Sequence, residues 1–277
     1  MEYKILNNDI ILTNVKNFDL NETFNCGQCF RWNEKSENDF VGVAKGKVLE
    51  IIKNENNIIL KDVSEKEFKE IWFNYFDLGL DYDIPKKQIS KLHPVLKKAS
   101  EFAPGIRILQ QEPWEALCSF IISQNNNIPR IKGIVERLCA NFGKRIKENY
   151  FTFPKAEVIA NLSEDDLLCI RSGFRAKYIL DAARKVYSNE INLNCIKRMP
   201  ISEARAELMK IKGVGPKVAD CALLYGLHML KAFPVDTWMN KAMKEFFPDL
   251  TREDFGEYAG IAQQYAFHYI RKNTLKI

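Results

Sequence analysis

Histidine is scarce in this sequence, and clustered cysteine is scarcer still. The three histidines, His93, His228 and His268, show no metal-type spacing. Seven cysteines is an odd number, spread widely through a chain with no secretory features, which reads as reduced thiols in a cytoplasm. One C-x-x-C is present, Cys26-Gly27-Gln28-Cys29, and no second follows; Cys118, Cys139, Cys169, Cys195 and Cys221 fall mostly in apolar helical contexts. A zinc site is therefore not expected. No apolar run approaches membrane-spanning length, and the opening MEYKILNNDI has no signal-peptide core, so no membrane partner is expected. A strong excess of one charge is missing too: the formal net charge of +5 permits a nucleic-acid partner without predicting one. What remains is 277 residues with 46% hydrophobic and 28% charged content, an ordinary soluble globular chain long enough for one or two domains.

Two patterns follow one another along the chain. Residues 1 to about 62 read as strands and turns, with β-rich runs at 9–13 and 47–52, a hairpin at Ala44-Lys45-Gly46-Lys47, and a turn at Asn56-Asn57 before Ile58-Ile59-Leu60. Short links between strands imply an antiparallel sheet. Ser64 with Glu67 three residues on forms a capping box that starts a helix through Trp72 to Phe76. Pro85 and Pro94 punctuate the passage into a helical region, which puts a domain boundary near residue 100. From Pro113 onward, 3.6-type spacing predicts helices at 114–123, 128–142, 165–170, 175–187, 202–210, 216–230, 237–247 and 252–272. The expected class is α+β, a sheet domain with flanking helices over 1–100 and a helical region over 101–277.

The stretch from Leu208 to Asp236, LMKIKGVGPKVADCALLYGLHMLKAFPVD, carries the chemistry. Gly213-Val214-Gly215 breaks one helix with a tight turn, and Pro216 suits the first position of the next. Such a hairpin aims backbone N–H groups outward from a positive helix end, a seat for a phosphate. Lys217 lies in the first turn, where the helix dipole disfavours another positive charge; partial desolvation there would lower its pKa and free the nucleophilic amine. Cys221 shares its face four residues later. Asp236 then brings a carboxylate to the start of another helix. Taken singly, Lys217 could be a phosphate contact, Cys221 a core residue, and Asp236 an N-cap.

GVGPKVADC followed by PVD resembles the helix-hairpin-helix and Gly/Pro…Asp signature of base-excision DNA glycosylases, and a lysine in K-V-A-D-C resembles the 8-oxoguanine DNA glycosylase branch. Further matches extend from Phe24 to Phe267. The resemblance implies a twisted antiparallel sheet domain followed by two mainly helical subdomains with the active cleft between them. It implies Lys217 as the amine and Asp236 as the essential carboxylate. Gly213, Val214 and Gly215 would supply backbone donors to a phosphate. Related glycosylases with an iron–sulfur cluster carry four closely spaced cysteines after the aspartate helix. Here none follows Cys221, so that cluster is not expected, and neither is any metal or cofactor.

The remaining functions also have candidates. Ser123-Gln124-Asn125-Asn126-Asn127 ends one helix before Ile128-Pro129-Arg130 begins another, and capping explains one or two of the three asparagines. The resemblance assigns this loop to the space left by a flipped base, with Asn125 and Arg130 reaching the orphaned partner. Arg130 argues for cytosine there, because its fork suits paired acceptors. Phe174, after Ser172-Gly173 and before Arg175, is a candidate wedge between base steps, at a position where the family has tyrosine; Arg175 joins it as a DNA contact. The segment FNCGQCFRW resembles the one whose glycine carbonyl, here that of Gly27, reads N7–H of 8-oxoguanine. Only the lesion can donate there, and an unpaired buried group costs about 1–3 kcal/mol. Gln263 and Phe267, four apart on a helix, match residues that bond the base edge and stack on its face, with Cys221 covering the other face. Trp238 stands where many family members have histidine; its indole N–H can donate to a phosphate but brings no charge.

The implied activity is that of a bifunctional glycosylase and AP lyase acting on double-stranded DNA as a monomer. Two alternatives stay open: a relative acting on another lesion, such as thymine glycol or mispaired adenine, and a non-catalytic DNA-binding module, since a helical hairpin alone only grips phosphate.

Overall fold

Alternation builds the N-terminal half. Ile10 and Leu12, Leu49 and Ile51, and Ile58 and Leu60 are buried while the residues between them are less so, the period-2 pattern of a sheet with one covered face. The computed structural model describes residues 2–274. Strands β1 (Glu2–Leu6), β2 (Asp9–Thr13), β3 (Trp32–Ser36), β4 (Asp39–Ala44), β5 (Lys47–Asn54) and β6 (Asn57–Leu60) form an antiparallel sheet in the order β1-β2-β6-β5-β4-β3. At the β4–β5 hairpin Lys45 and Gly46 take φ of 51° and 70°, the mirror-image turn that suits strand twist. The turn expected at Asn56-Asn57 sits one residue earlier, with Glu55 at φ 52° and Asn57 already in β6.

Only half of the capping box forms. Ser64 Oγ accepts the Glu67 N–H at 3.2 Å, but the Glu67 carboxylate takes the Trp72 indole N–H at 3.0 Å instead of returning to Ser64. The helix then widens into a π-helical stretch, Phe68–Trp72, which directs Phe68, Trp72 and Phe76 into the core against the sheet.

The longer helices are α1 (Asp83–Leu92), α2 (Pro94–Phe102), α3 (Pro113–Ser123), α4 (Ile128–Phe142), α5 (Ala176–Tyr187), α6 (Ile201–Leu208), α7 (Pro216–Tyr225), α8 (Thr237–Phe246) and α9 (Ala259–Thr274). None among the described residues is long and apolar enough to cross a membrane. Four expected helices differ from those observed. The 165–170 segment is a 3-10 turn, Asp166–Ile170, and α5 is preceded by another, Gly173–Arg175. Helix α7 stops at Tyr225 rather than Leu230, because the chain reverses at Gly226 and His228 takes a φ of 54°. The 252–272 run divides at Gly256 (φ 68°) into a 3-10 segment and α9. Short helices at Ala156–Ala160 and Leu193–Ile196, and a small hairpin of Arg145–Lys147 with Tyr150–Phe151, lack the length to give a periodic signal.

Pro85 and Pro94 lie in the first turns of α1 and α2, where a missing N–H is harmless, rather than between elements. The boundary expected near residue 100 falls inside α2, and the packing changes hands earlier. The sheet core runs from Ile10 to Leu78 and regains Leu109, whereas Tyr82, Ile89 and Leu96 belong to the helical core that includes α9. A buried ion pair, Arg31 to Glu115 at 3.2 Å, joins the two halves.

Candidate active site

Between the helical hairpin, the 123–129 loop and α9 lies a cleft of about 1240 Å³. The hairpin turn between α6 and α7 and the first turn of α7 form one wall. Gly213 takes a φ of 78°, and a Cβ there would stand 2.4 Å from the Tyr178 ring, so the turn demands glycine twice over. The Lys212 N–H donates to Asp181 at 2.7 Å and pins the turn to α5. The N–H groups of Gly213 and Gly215 have no acceptor among the described residues, and the first main-chain bond of α7 is Ala219 to Gly215 at 3.0 Å. The outward donors are therefore Gly213, Gly215 and the first turn of α7. Val214 departs from expectation: its N–H is taken by the Ile211 carbonyl at 3.0 Å and its side chain is buried.

Lys217, half-buried in that first turn, lines the cleft with Nζ 3.4 Å from Ser123 Oγ and 5.3 Å from the Phe120 ring centre. The sequence places Ser123 at the head of the asparagine loop but gives no sign of its contact with Lys217, and Phe120 reads as an ordinary residue of an apolar helix. Asp236 lines the same cleft and also caps α8, Oδ1 accepting the Met239 N–H at 2.7 Å; Oδ2 has no partner among the described residues. The amine and the carboxylate thus face one space without pairing directly. Beneath Lys217, Cys221 is buried, and burial pushes its thiol up to about 11 despite the nearby ammonium. Asp220, fully buried, accepts from Arg205 at 2.7 Å and clamps the two hairpin helices together; burial raises its carboxyl above the ordinary range.

Gly27 forms part of the cleft lining at a φ of 91°, with open space where a Cβ would project. Its neighbours are tied down. The Cys26 carbonyl accepts from Gln264 at 3.2 Å, and the Gln28 carbonyl accepts from Gln111 at 2.7 Å. The fully buried Gln28 side chain donates to the carbonyls of Thr23 (2.9 Å) and Arg107 (2.7 Å) and accepts the Leu109 N–H at 2.9 Å. The Gly27 carbonyl between them has no donor among the described residues. The C-x-x-C around it is packing: Cys26 and Cys29 are buried, their thiols turned to the Thr23 and Phe24 carbonyls, and burial pushes Cys26 up to about 12. No group of three or more metal-type ligands occurs among the described residues.

Phe267 lines the cleft, whereas Gln263 is 5% exposed with its Oε1 buried and unpaired. Gln263 and Cys221 therefore lie just beneath the surface rather than on it. In the loop, Asn127 caps α4 through the Arg130 N–H at 3.0 Å, and Asn126 donates to the Ile122 carbonyl at 3.2 Å. The Asn125 side chain has no hydrogen-bond partner among the described residues and is exposed in the cleft, on a left-handed backbone (φ 46°). Arg130 is exposed on the first turn of α4, outside the cleft lining. Phe174 is 50% exposed in the cleft, with the Arg175 guanidinium 4.4 Å from its ring centre. Arg175 itself is a correction to the expected DNA contact. It is 2% exposed, and its guanidinium donates to the carbonyls of Gln124 (3.0 Å), Asn125 (3.0 Å) and Ser172 (3.2 Å). It braces the asparagine loop against the wedge. Trp238, 43% exposed, lines the cleft from the second position of α8. Arg252 and Arg271 also line it; both sit in runs that read as ordinary solvated helix surface, so no sequence signal marked them.

Comparison with known proteins gives the same frame. Residues 10–117 match the model for the N-terminal domain of 8-oxoguanine DNA glycosylase, and residues 118–257 match that for HhH-GPD superfamily base excision DNA repair proteins. An N-glycosylase/DNA lyase of Saccharomyces cerevisiae is 36% identical over 249 residues, 79% of this chain; the chain spans 65% of that relative's length. The crystal structure of Clostridium acetobutylicum 8-oxoguanine glycosylase/lyase, in complex with double-stranded DNA containing cytosine opposite 8-oxoguanine, superposes with a TM-score of 0.93 at 41% identity, covering 99% of both chains. A 3-methyladenine DNA glycosylase from Archaeoglobus fulgidus shares the fold, with a TM-score of 0.71 at 18% identity. With the two domain models matched over adjoining stretches and a cleft uniting the hairpin lysine with the Gly/Pro…Asp carboxylate, the chain belongs to the 8-oxoguanine DNA glycosylase family of the HhH-GPD superfamily.

Proposed function

We propose that this chain is a bifunctional DNA glycosylase and AP lyase that excises 8-oxoguanine from duplex DNA, preferring cytosine opposite the lesion. The observation that carries the reading is one cleft lined by the Lys217 amine, the Asp236 carboxylate and Gly27, whose carbonyl is left without a donor. A base must leave the stack before its glycosidic bond can be cut, and the cleft has room for a nucleotide. Gly213, Gly215 and the first turn of α7 grip a phosphate of the damaged strand. Phe174 wedges the gap, while Asn125 and Arg130 meet the orphaned base. Gly27 accepts from N7–H, which guanine lacks. Phe267 stacks on the base, with Gln263 bonding its edge and Cys221 covering the other face; the unpaired Gln263 Oε1 supports that role.

For the reaction, Lys217 must lose its proton. Asp236 Oδ2 is the base available for that transfer; once it hands the proton on to the departing purine, its restored negative charge stabilises the cationic character on the sugar. The free amine bonds to C1′ as the C1′–N9 bond breaks, and the departing purine takes up a proton. Ring opening gives a Schiff base, and loss of a C2′ proton then expels the 3′ phosphate by β-elimination. No step calls on a metal or cofactor. The protein would work as a cytoplasmic monomer, associated with the nucleoid in a prokaryote.

The test is borohydride trapping on duplexes carrying 8-oxoguanine opposite each of the four bases. Wild type should form a covalent adduct, most rapidly opposite cytosine, and Lys217→Gln should form none. Absence of an adduct from wild type would remove the lyase assignment, and equal trapping opposite all four bases would remove the Arg130 assignment.

A further inference from the structure

Among the described residues, four charged side chains line the cleft: Lys217, Asp236, Arg252 and Arg271. The first two belong to the reaction just described, and the two arginines do not. Arg252 has an internal task. Its Nη1 lies 3.8 Å from Oδ2 of the fully buried Asp220, an oxygen with no hydrogen-bond partner among the described residues, so Arg252 offsets a buried charge. Arg271 has no such task, for it makes no ion pair with a carboxylate among the described residues. It stands in the last turn of α9, four residues beyond Phe267, with its guanidinium carbon 5.9 Å from the phenyl centre. One helical turn rises about 5.4 Å, so Arg271 overhangs the rim of whatever space Phe267 faces.

We infer that Arg271 takes a phosphate of the damaged strand at the mouth of the base pocket. This rests on reading Phe267 as the stacking partner of the flipped base. A base lying on that ring must carry its sugar and phosphates outward past the next turn of α9, where the guanidinium waits. A planar fork of N–H donors matches two phosphate oxygens, and a guanidinium is less strongly hydrated than an ammonium. Trp238, on the neighbouring helix α8, brings an N–H but no charge to this part of the cleft; Arg271 supplies the charge. A helix C-terminus favours any cation, but that argument applies equally to Lys272, which is exposed and does not line the cleft. Lys272 is therefore the natural control.

The experiment is a salt titration of binding to an 8-oxoguanine:cytosine duplex, for wild type, Arg271→Ala, Arg271→Lys and Lys272→Ala. Each phosphate neutralised contributes about 0.9 to the slope of log K against log salt. Arg271→Ala should lose that increment, so that a fourfold rise in salt weakens it about 3.5-fold less than wild type. Arg271→Lys should keep the slope, and Lys272→Ala should change it less than Arg271→Ala does. An unchanged slope in Arg271→Ala, or an equal loss in Lys272→Ala, would overturn the inference. Trapping by the wild-type protein separates the two readings. An adduct with no slope change ends this inference alone. A slope loss without any adduct leaves the phosphate contact and ends the glycosylase assignment.

Discussion

The wall of the cleft that carries Lys217 and Asp236 and the part around Gly27 are held by opposite means. Lys217 and Asp236 each sit at the beginning of a helix, fixed by residues beside them in sequence: Gly215 and Pro216 open α7, and the Met239 N–H holds Asp236. Gly27 is held from far away, by Gln28 reaching Arg107 and Leu109 and by Gln264 reaching back to Cys26. The proposed chemistry therefore rests on local motifs, and the proposed recognition on buried amides that span most of the chain. Damage to the first should stop the reaction in a folded protein. Damage to the second should cost stability and selectivity together.

The sharpest way to break this contrast is at the amine. Lys217→Gln should abolish the trapped adduct and lower turnover by more than about a thousandfold, as expected for a lost nucleophile, with little change in thermal unfolding. A large drop in Tm would show that the wall is not locally held. Next comes Asp236→Asn, which keeps an N-cap but loses the charge. Turnover should fall about a hundredfold or more while stability changes by less than about 1 kcal/mol; Asp236→Ala should add the loss of the cap, about 1 kcal/mol. If Asp236→Asn retains near-normal rates, the carboxylate acts only as a cap.

The Gly27 region is probed by Gln28→Leu. It deletes three buried hydrogen bonds to the main chain and one to the Cys26 thiol, and strands the Arg107 carbonyl and the Leu109 N–H, so a loss of about 3–5 kcal/mol is expected, together with a smaller ratio of 8-oxoguanine to guanine binding. Unaltered discrimination in a destabilised protein would confine Gln28 to stability. The smallest effect concerns acid. His268, on α9, is pushed down to about 4, chiefly by burial and then by the charges of Lys272 and Arg271. Its folded value lies below the ordinary 6.5, so the unfolded chain takes up the proton first. Stability is full above that value and falls as pH drops from about 6.5 towards 4, by at most about 3 kcal/mol. In His268→Leu, denaturant titrations across that window should lose most of this slope; an unaltered slope would mean that other groups control it.

Much of the architecture could be read from the sequence because its causes are short-range. The β4–β5 hairpin follows from Lys45-Gly46, the α7 start from Pro216, and the α8 start from Asp236. The three asparagines sorted themselves as local chemistry allows: two serve as cap and brace, and Asn125 is left over. Expected and observed elements part where a tertiary contact intervenes. Glu67 leaves its capping box for Trp72, which itself packs on the sheet, and α7 ends at Tyr225, whose carbonyl accepts the Gln111 N–H at 3.0 Å before the chain turns back at Gly226.

By itself, then, the sequence determined where α4, α7 and α8 begin, and that an amine and a carboxylate each stand at such a beginning. A cap, a proline or a left-handed glycine acts within four residues, so its effect is written locally. Tertiary structure alone decided that these two groups share a cleft, that the carbonyl of Gly27 stays unpaired while those of Cys26 and Gln28 do not, and that Arg175 turns inward while Arg271 is left at the rim. Those outcomes depend on which buried polar groups find partners across the core, and a partner more than 200 residues away, as Gln264 is for Cys26, leaves no local trace.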